Sequence, residues 1–292
     1  MCPEKHASEI RLKARELSCN WKAGAYSVIS DESERKGRRY SYFYGGLLIP
    51  NASIPECRFL LSAVALSCRI KGEIKWTKTS LHNVEAYMQM ASTFLMLVEE
   101  GSCRLRVAYN SNDHLHAASA KRGTSKALYL KLYHNFLLNG FSLRWANLPP
   151  KSKDLFFLMD RLPVGADDGE TFATTLSKIP NQWALSRCKV PDSPFTVHHK
   201  NVSEIESSTC LLLQMVDMMT GAMYSLANEL ADQPGSGVDT NRGRAKNALG
   251  LHIIQRLRRM TRCPNLSVHE TSAMSGSWFE VPYRHWIVES KL

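Results

Sequence analysis

The chain has 292 residues, of which 44% are hydrophobic, so one sizeable α/β core can form and disorder is excluded as its main state. No stretch approaches the roughly 20 apolar residues of a membrane-spanning helix, and the charged first residues lack the apolar segment of a secretory signal. The eight cysteines include no Cys-x-x-Cys pair, which argues against a zinc ribbon and a disulfide framework. We therefore expect a cytoplasmic protein with reduced thiols and no membrane partner.

Positive charge is the strongest bias of the composition. The chain carries 37 basic and 27 acidic residues, a formal net charge of +10, which favours a polyanionic partner such as DNA or RNA. Between residues 241 and 262 there are seven basic residues and no acidic one. Two interpretations of this segment stay open, a solvated helix face and a phosphate-binding surface. The candidates for nucleic-acid contact are Lys75, Arg242, Arg244, Lys246, Arg256, Arg258 and Arg259.

Periodicity and turn residues predict an alternation of strands and helices. A charged amphipathic helix at the start of the chain is followed by a β-hairpin made of residues 25–31 and 40–50. Further strands are predicted at 103–109, 155–162 and 196–202, the last an edge strand with His198 and His199. Helices are predicted at 54–70, 80–100, 120–138, 172–186, 209–230 and 246–261.

This order of elements indicates a mixed α/β sheet flanked by helices rather than a sandwich or a bundle. We divide the chain into the N-terminal charged helix (1–24), a main α/β domain (25–230), a Gly- and Pro-rich loop or linker (231–243) and a C-terminal part (244–292). The C-terminal part contains the basic helix and a short closing segment with Trp278, Phe279, Val281 and Trp286.

Four acidic residues next to hydrophobic segments are the candidate catalytic residues. The chain has no Gly-rich nucleotide-binding loop, no Gly-x-Ser-x-Gly elbow and no His-Glu-x-x-His motif. A carboxylate buried alone is unfavourable, and several that meet at one point repel one another unless divalent cations neutralise them. Hard oxygen ligands of this kind suit Mg²⁺ or Mn²⁺. The four are Asp31 and Asp160 at strand ends, Glu73 before an Ile-Lys-Trp segment, and Asp217 within an apolar helix.

The alternative for each acid is a structural role as a helix cap or as the partner of a nearby base, as Asp160 would be with Arg161. For any single residue this alternative is the stronger one. The joint pattern, with a strand-end aspartate first and a helix-borne aspartate last, favours a metal site.

Three short motifs follow one another along the chain. The first is Ser30-Asp31-Glu32-Ser33, which precedes Tyr-Phe-Tyr-Gly-Gly-Leu-Leu-Ile-Pro at 42–50. The second is Glu-Ile-Lys-Trp at 73–76, and the third is Gln-Met-Val-Asp-Met-Met-Thr-Gly-Ala at 214–222. In their order and spacing they resemble the bacterial "domain of unknown function 3800" family. The resemblance covers residues 25–225, with a weaker match near Trp286.

The resemblance implies an RNase H-like fold and nuclease activity. It also implies metal-ligand roles for the four acids, with Asp31 as the central bridging ligand and Asp217 as the closing ligand on the last helix of the domain. One position departs from the family pattern, because Glu34 stands where the family has a glycine. If that glycine needs a positive φ, Glu34 strains or reshapes the turn that we expect after Asp31.

Other polar and aromatic residues near the motifs have two interpretations each. Lys75 contacts a phosphate or pairs with Glu73, and pairing is slightly favoured. Glu32 supports the acidic site or lies in a solvated turn, and the turn is favoured. His198 and His199 line a groove or lie on the surface, and surface exposure is the commoner outcome. Trp76 and Trp145 are more often core residues than base-stacking platforms.

The leading hypothesis is a Mg²⁺- or Mn²⁺-dependent nuclease with two cations about 3.5 to 4 Å apart, held by Asp31, Glu73, Asp160 and Asp217. The first alternative is a nucleic-acid-binding module with the same fold and no catalysis. The second is a protein-interaction subunit of a defence or mobile-element system, in which the basic helix contacts a protein partner or another copy of the chain.

Overall fold

The computed structural model describes residues 24–113, 115, 125–143, 146, 153–160, 166–181, 194–229, 240–272 and 279–288. The predicted N-terminal helix, Arg161, Trp145, Trp278 and most of the predicted linker lie outside these residues.

In the described part of the chain, seven strands form one mixed sheet. The strands are β1 (Tyr26–Lys36), β2 (Tyr40–Pro50), β3 (Arg104–Ser111), β4 (Lys153–Met159), β5 (Phe195–Thr196), β6 (Val202–Glu204) and β7 (Tyr283–Val288). Their order is β5-β4-β1-β2-β3-β7, and β6 also pairs with β4.

The strand directions follow from the connections. The first three strands pair antiparallel in sequence order, and the turn after Lys36 is short enough to join β1 and β2 as a hairpin. β4 pairs parallel with β1 on its other side, and β5 and β6 extend that parallel half. Three antiparallel strands are thus followed by strands added in parallel beside the first. The predicted fold class, a mixed α/β sheet flanked by helices, is therefore confirmed.

Helices cover both faces of the sheet. They are α1 (Ile54–Ser67), α2 (Val84–Glu99), α3 (Ser125–Asn139), α4 (Ala166–Ser177), α5 (Leu211–Ala227) and α6 (Asn241–Thr261). One apolar core lies between the sheet and α1, α2, α5 and α6, and a second lies between the sheet and α3 and α4. Because side chains alternate along a strand, Ile29 of β1 points into the first core and Val28 into the second. This alternation decides on which face each residue of β1 lies.

Several predicted boundaries are corrected by the structure. β1 continues to Lys36, so Asp31 lies inside the strand rather than at its end, and Glu34 lies within the strand rather than in the expected charged turn. Residues 196–202 do not form one edge strand, because a 3-10 turn at His199–Asn201 separates β5 from β6. The basic helix begins at Asn241, where the Thr240 side chain accepts a hydrogen bond from the Gly243 N–H.

The C-terminal part packs onto the main domain. α6 contacts α2 and α5, and its buried face carries Leu249, Ile253 and Leu257. β7 pairs parallel with β3 and so extends the same sheet. None of the helices in the described residues is long and apolar enough to cross a membrane.

Candidate active site

A cleft of about 430 Å³ opens where the middle of β1 faces α5 and the segment around Trp76. Asp31 and Asp217, which are distant in sequence, both line it. The structure therefore brings together the two predicted site residues on which the metal-site hypothesis depends most. The remaining lining residues are Glu32, Ser33, Trp76, Thr77, Thr220, Gly221 and Tyr224.

The sheet brings Asp31 close to Asp160. Ser30 of β1 pairs with Met159 of β4 in a parallel ladder. Asp31 and Asp160 follow these two residues, so they lie at the same edge of the sheet, on strands about 4.8 Å apart. The expectation that Asp160 is a strand-end acid near Asp31 agrees with this register.

Hydrogen bonds from two side chains of α5 attach the segment of residues 74–76 to this helix. Asp217 Oδ2 accepts a hydrogen bond of 2.8 Å from the Trp76 backbone N–H. One turn earlier on the helix, Gln214 Oε1 accepts from the Ile74 N–H at 3.0 Å, and Gln214 Nε2 donates to the Ser207 carbonyl at 2.7 Å. The second and third sequence motifs are thus two sides of one hydrogen-bonded contact.

Two glycines allow α5 to approach this closely. Gly45 pairs with Asp31 across the β-hairpin, and a Cβ atom at Gly45 would overlap the Thr220 hydroxyl. Gly221 packs under the Trp76 indole, where a Cβ atom would overlap the ring. Because Thr220 and Gly221 follow Asp217 by about one helical turn, this tight contact presses the Asp217 side of α5 against the middle of β1.

Burial, together with repulsion between acids, sets the electrostatics of the cleft. Burial raises the pKa of Asp31 well above its ordinary value, and the negative charges of Asp217, Glu32 and Asp160 raise it further. The Glu32 backbone N–H, which donates to Asp31 Oδ1 at 2.9 Å, acts in the opposite direction. A group of carboxylates with this mutual repulsion favours the binding of a proton or a cation.

The position of Glu32 agrees with the less favoured of its two sequence interpretations, support of the acidic site. Glu32 lies on β1 and lines the cleft, so the solvated turn that we favoured is wrong. It follows Asp31 directly and therefore points toward the opposite face of the sheet. There it forms a hydrogen bond with Tyr129 of α3, whose pKa is raised by burial and by the Glu32 charge. The alternation of side chains along a longer β1 is the signal that would have identified it.

Glu73 has partners outside the cleft. Its Oε1 accepts from Ser207 Oγ at 2.6 Å and pairs with Lys75 Nζ at 3.0 Å, and its Oε2 pairs with Lys78 Nζ at 3.2 Å. Burial alone would raise the pKa of Glu73, but these hydrogen bonds outweigh burial and lower it. The favoured pairing of Lys75 with Glu73 is therefore present, while a metal-ligand role for Glu73 stays a prediction.

Lys75 connects this ion-paired group to the acidic cleft. Its hydrogen bond to Glu73 raises the pKa of the ammonium, and the charges of Asp160 and Asp217 add to this effect. Lys75 thus brings a fixed positive charge to the edge of the acidic site. Its predicted contact with a phosphate is compatible with this position, although Lys75 is not among the residues that line the cleft.

The basic residues of α6 are distributed between the cleft and the helix's far end. Lys246 Nζ lies over the Trp76 ring, 5.7 Å from its centroid, so it is close to the cleft. Arg256 lies 4.0 Å from Glu99. His198 and His199 are exposed on the 3-10 turn beside β6. The other predicted contacts are exposed along α6, namely Arg242, Arg244, Arg258 and Arg259.

A metal ion would find oxygen donors here but no complete set of ligands. Within the residues that the structure describes, no three His, Cys, Asp or Glu side chains are arranged to hold a metal ion. The pair of Asp31 and Asp217 is in place, with Glu32 and Asp160 near enough to influence the charge of Asp31. Of the four predicted ligands, Asp31 and Asp217 therefore line the cleft together, and Asp160 lies near enough to influence the charge of Asp31.

Comparisons with known proteins give structural likeness at a low level. No protein-family model matches the chain, and no curated protein matches it. Crystal structures of Bst-RNase HIII are among the solved structures that match. One, in complex with Mn²⁺, has a TM-score of 0.38 and 11% identity, and the match covers 84% of this chain and 73% of that chain. A mutant of the same protein has a TM-score of 0.35 and 10% identity, over 87% of this chain and 74% of that chain. The family resemblance stays a prediction, and at these TM-scores the likeness supports no inference about activity.

Proposed function

We propose that this chain is a Mg²⁺- or Mn²⁺-dependent phosphodiester hydrolase that cleaves DNA or RNA at the cleft around Asp31. The observation that carries the proposal is the meeting of Asp31 and Asp217 in one cleft, with two further carboxylates close enough to raise the pKa of Asp31. A solvent-accessible cluster of carboxylates in a chain with a net charge of +10 is difficult to explain as a stabilising feature.

The donor chemistry fits a hard divalent cation. The described residues that line the cleft offer carboxylate and hydroxyl oxygens and include no thiol and no imidazole. Asp31 and Asp217 would hold the cation, and Asp160 would be a third carboxylate ligand. Glu32, which points to the opposite face of the sheet, would contribute through its charge alone. A bound cation of this kind supplies charge for a phosphoryl oxygen and lowers the pKa of a bound water.

The chain's own residues position the reacting groups around that pair. The Trp76 N–H donates to Asp217 Oδ2 and so fixes the orientation of this carboxylate, which lines the cleft. The Lys75 ammonium, held by Glu73, offers positive charge that would attract a phosphate toward the acidic site. The Thr77 hydroxyl on the cleft wall would donate to sugar or phosphate oxygens, whereas the Thr220 hydroxyl donates to the Val216 carbonyl.

The test is a cleavage assay on single- and double-stranded DNA and RNA with Mg²⁺ or Mn²⁺, comparing wild type with Asp217→Asn. The asparagine keeps an oxygen acceptor for the Trp76 N–H but removes the charge, so we expect the fold to persist and cleavage to fall by at least about 100-fold. The stabilisation by Mn²⁺, followed as a shift in Tm, should disappear in the same variant.

Asp113→Asn is the matched control, because Asp113 is an exposed aspartate outside the cleft. It should leave both cleavage and the Mn²⁺-dependent shift in Tm unchanged. Cleavage that survives in Asp217→Asn, or that continues in excess chelator, would contradict the proposal.

The second candidate function is nucleic-acid binding without catalysis, and one observation favours it. That observation is the lack, among the described residues, of three side chains already arranged around a metal ion. This alternative predicts salt-dependent binding of nucleic acid that is the same with chelator and with Mn²⁺, and no cleavage of any substrate.

A further inference from the structure

The C-terminal end of α6 forms a second concave surface, which the acidic site does not use. A groove of about 580 Å³ is lined by Gln255, Arg258, Arg259, Arg262 and Pro264. Arg262 ends the helix in the left-handed conformation, with φ at 53°, and the chain then reverses so that Pro264 forms part of the wall. The groove is therefore formed by the shape of the backbone and is more than a row of arginines on a helix.

The three arginines give the groove a concentrated positive charge. Arg258 is held in place because its Nε donates to the Leu266 carbonyl at 3.1 Å. No salt bridge joins Arg258, Arg259 or Arg262 to a carboxylate among the residues that the structure describes. Guanidinium groups bind phosphate oxygens with paired hydrogen bonds, so three of them around one concave surface suit a phosphodiester backbone.

Helix α6 carries the groove at its C-terminal end and, near its start, a basic residue close to the acidic cleft. Lys246, near the start of the helix, lies over Trp76, which lines the cleft. Arg258 follows Lys246 by three and a third turns, which corresponds to about 18 Å along the helix axis at about 1.5 Å per residue. Over this length the helix contains no acidic residue that would repel a polyanion.

We propose that the groove is a second binding site for the phosphodiester backbone, occupied by a part of the nucleic acid distant from the bond in the cleft, since Lys246 and Arg258 alone are about 18 Å apart along the α6 axis. This inference rests on the proposed function, because it assumes that nucleic acid is the substrate. In duplex DNA one strand advances about 3.4 Å per base pair, so about five base pairs or more are needed to reach both sites. The groove thus selects long substrates, and a small phosphodiester engages the cleft alone.

The experiment removes the charge of the groove in the full-length chain with Arg258→Gln, Arg259→Gln and Arg262→Gln combined. Binding to a duplex of about 30 base pairs is measured by fluorescence anisotropy over a range of salt concentrations, in an Asp31→Asn background that prevents cleavage. We expect the affinity to fall about ten-fold or more and the slope of log K against log salt to decrease by about 2 to 3. Hydrolysis of bis(p-nitrophenyl) phosphate, measured without the Asp31→Asn change, should stay within about two-fold of wild type, because this small diester does not reach the groove.

The matched control removes the same charge from the opposite side of the sheet. Lys131, Lys178 and Lys200 are exposed on or beside the elements that cover that face. Their combined change to glutamine should alter the affinity for the long duplex by less than about two-fold.

Three results would overturn the inference: an unchanged affinity in the groove variant, an equal loss in the control variant, or an equal loss of small-diester hydrolysis. Should the triple variant fold poorly, Arg259→Gln alone gives the same comparison, because Arg259 is exposed. A groove variant that loses duplex binding, in a protein whose wild type cleaves nothing, would support the groove and refute the nuclease proposal. The experiments can therefore refute either proposal without refuting the other.

Discussion

Asp31→Asn is expected to abolish cation-dependent cleavage and, in the same protein, to stabilise the metal-free fold. Both effects have one cause, because Asp31 is a buried carboxyl group whose ionisation is opposed by Asp217, Glu32 and Asp160. We expect cleavage to fall by at least about 100-fold, since a residue that holds the cation cannot be replaced by a neutral amide. Without metal, the free energy of unfolding of the variant should exceed that of wild type by on the order of 1 kcal/mol.

The stability gain should depend on pH in a defined direction. Because the folded-state pKa of Asp31 is raised, the folded chain holds a proton that the unfolded chain has released once the pH exceeds about 4. The stability of metal-free wild type therefore decreases as the pH rises from about 4 through the raised pKa, and the Asn variant lacks this contribution. Urea unfolding in chelator at a series of pH values measures it, with Asp113→Asn as the control. A variant less stable than wild type at neutral pH would show that Asp31 is not under the repulsion described.

Gly221→Ala is expected to destabilise the protein by about 1 to 3 kcal/mol and to reduce cleavage with it. A methyl group at this position would overlap the Trp76 indole, which is only 1% exposed. The indole or α5 must therefore shift, and either movement disturbs the hydrogen bond between the Trp76 N–H and Asp217. Urea unfolding and the cleavage assay measure the two effects.

Gly250→Ala is the matched comparison, because Gly250 is also a glycine within a helix. A Cβ atom there would meet the Leu226 side chain at 3.5 Å, which is an ordinary van der Waals contact. Alanine is favoured over glycine inside a helix, so this variant should be more stable than wild type by about 0.5 to 1 kcal/mol, with unchanged cleavage. Opposite signs for the two alanine variants are the expected result, and equal destabilisation would mean that the contact at Gly221 is not special.

The sequence by itself determined most of the architecture on which the site is built. The β1–β2 hairpin, α1, α2, β3 and α5 lie where their hydrophobic periods predicted them, because the period of apolar residues directly encodes the face that is buried. The position of Asp217 on an apolar helix also followed from local pattern, whereas Asp31 lies inside β1 and not at the predicted strand end. Each carboxylate lies next to or within an apolar segment, where an acidic residue is unusual.

Only the tertiary structure decided what these residues contact. Glu73 is held by Ser207, Lys75 and Lys78, whereas the Trp76 N–H, three residues later, is what meets Asp217. Likewise Lys246 lies at the cleft while Arg258 lies in a separate groove on the same helix. A sequence period reports which face of an element is apolar, but the approach of α5 to the sheet depends on glycines in two distant segments, Gly45 and Gly221. Contacts between such segments are set by packing across the whole fold, so they are absent from any local pattern.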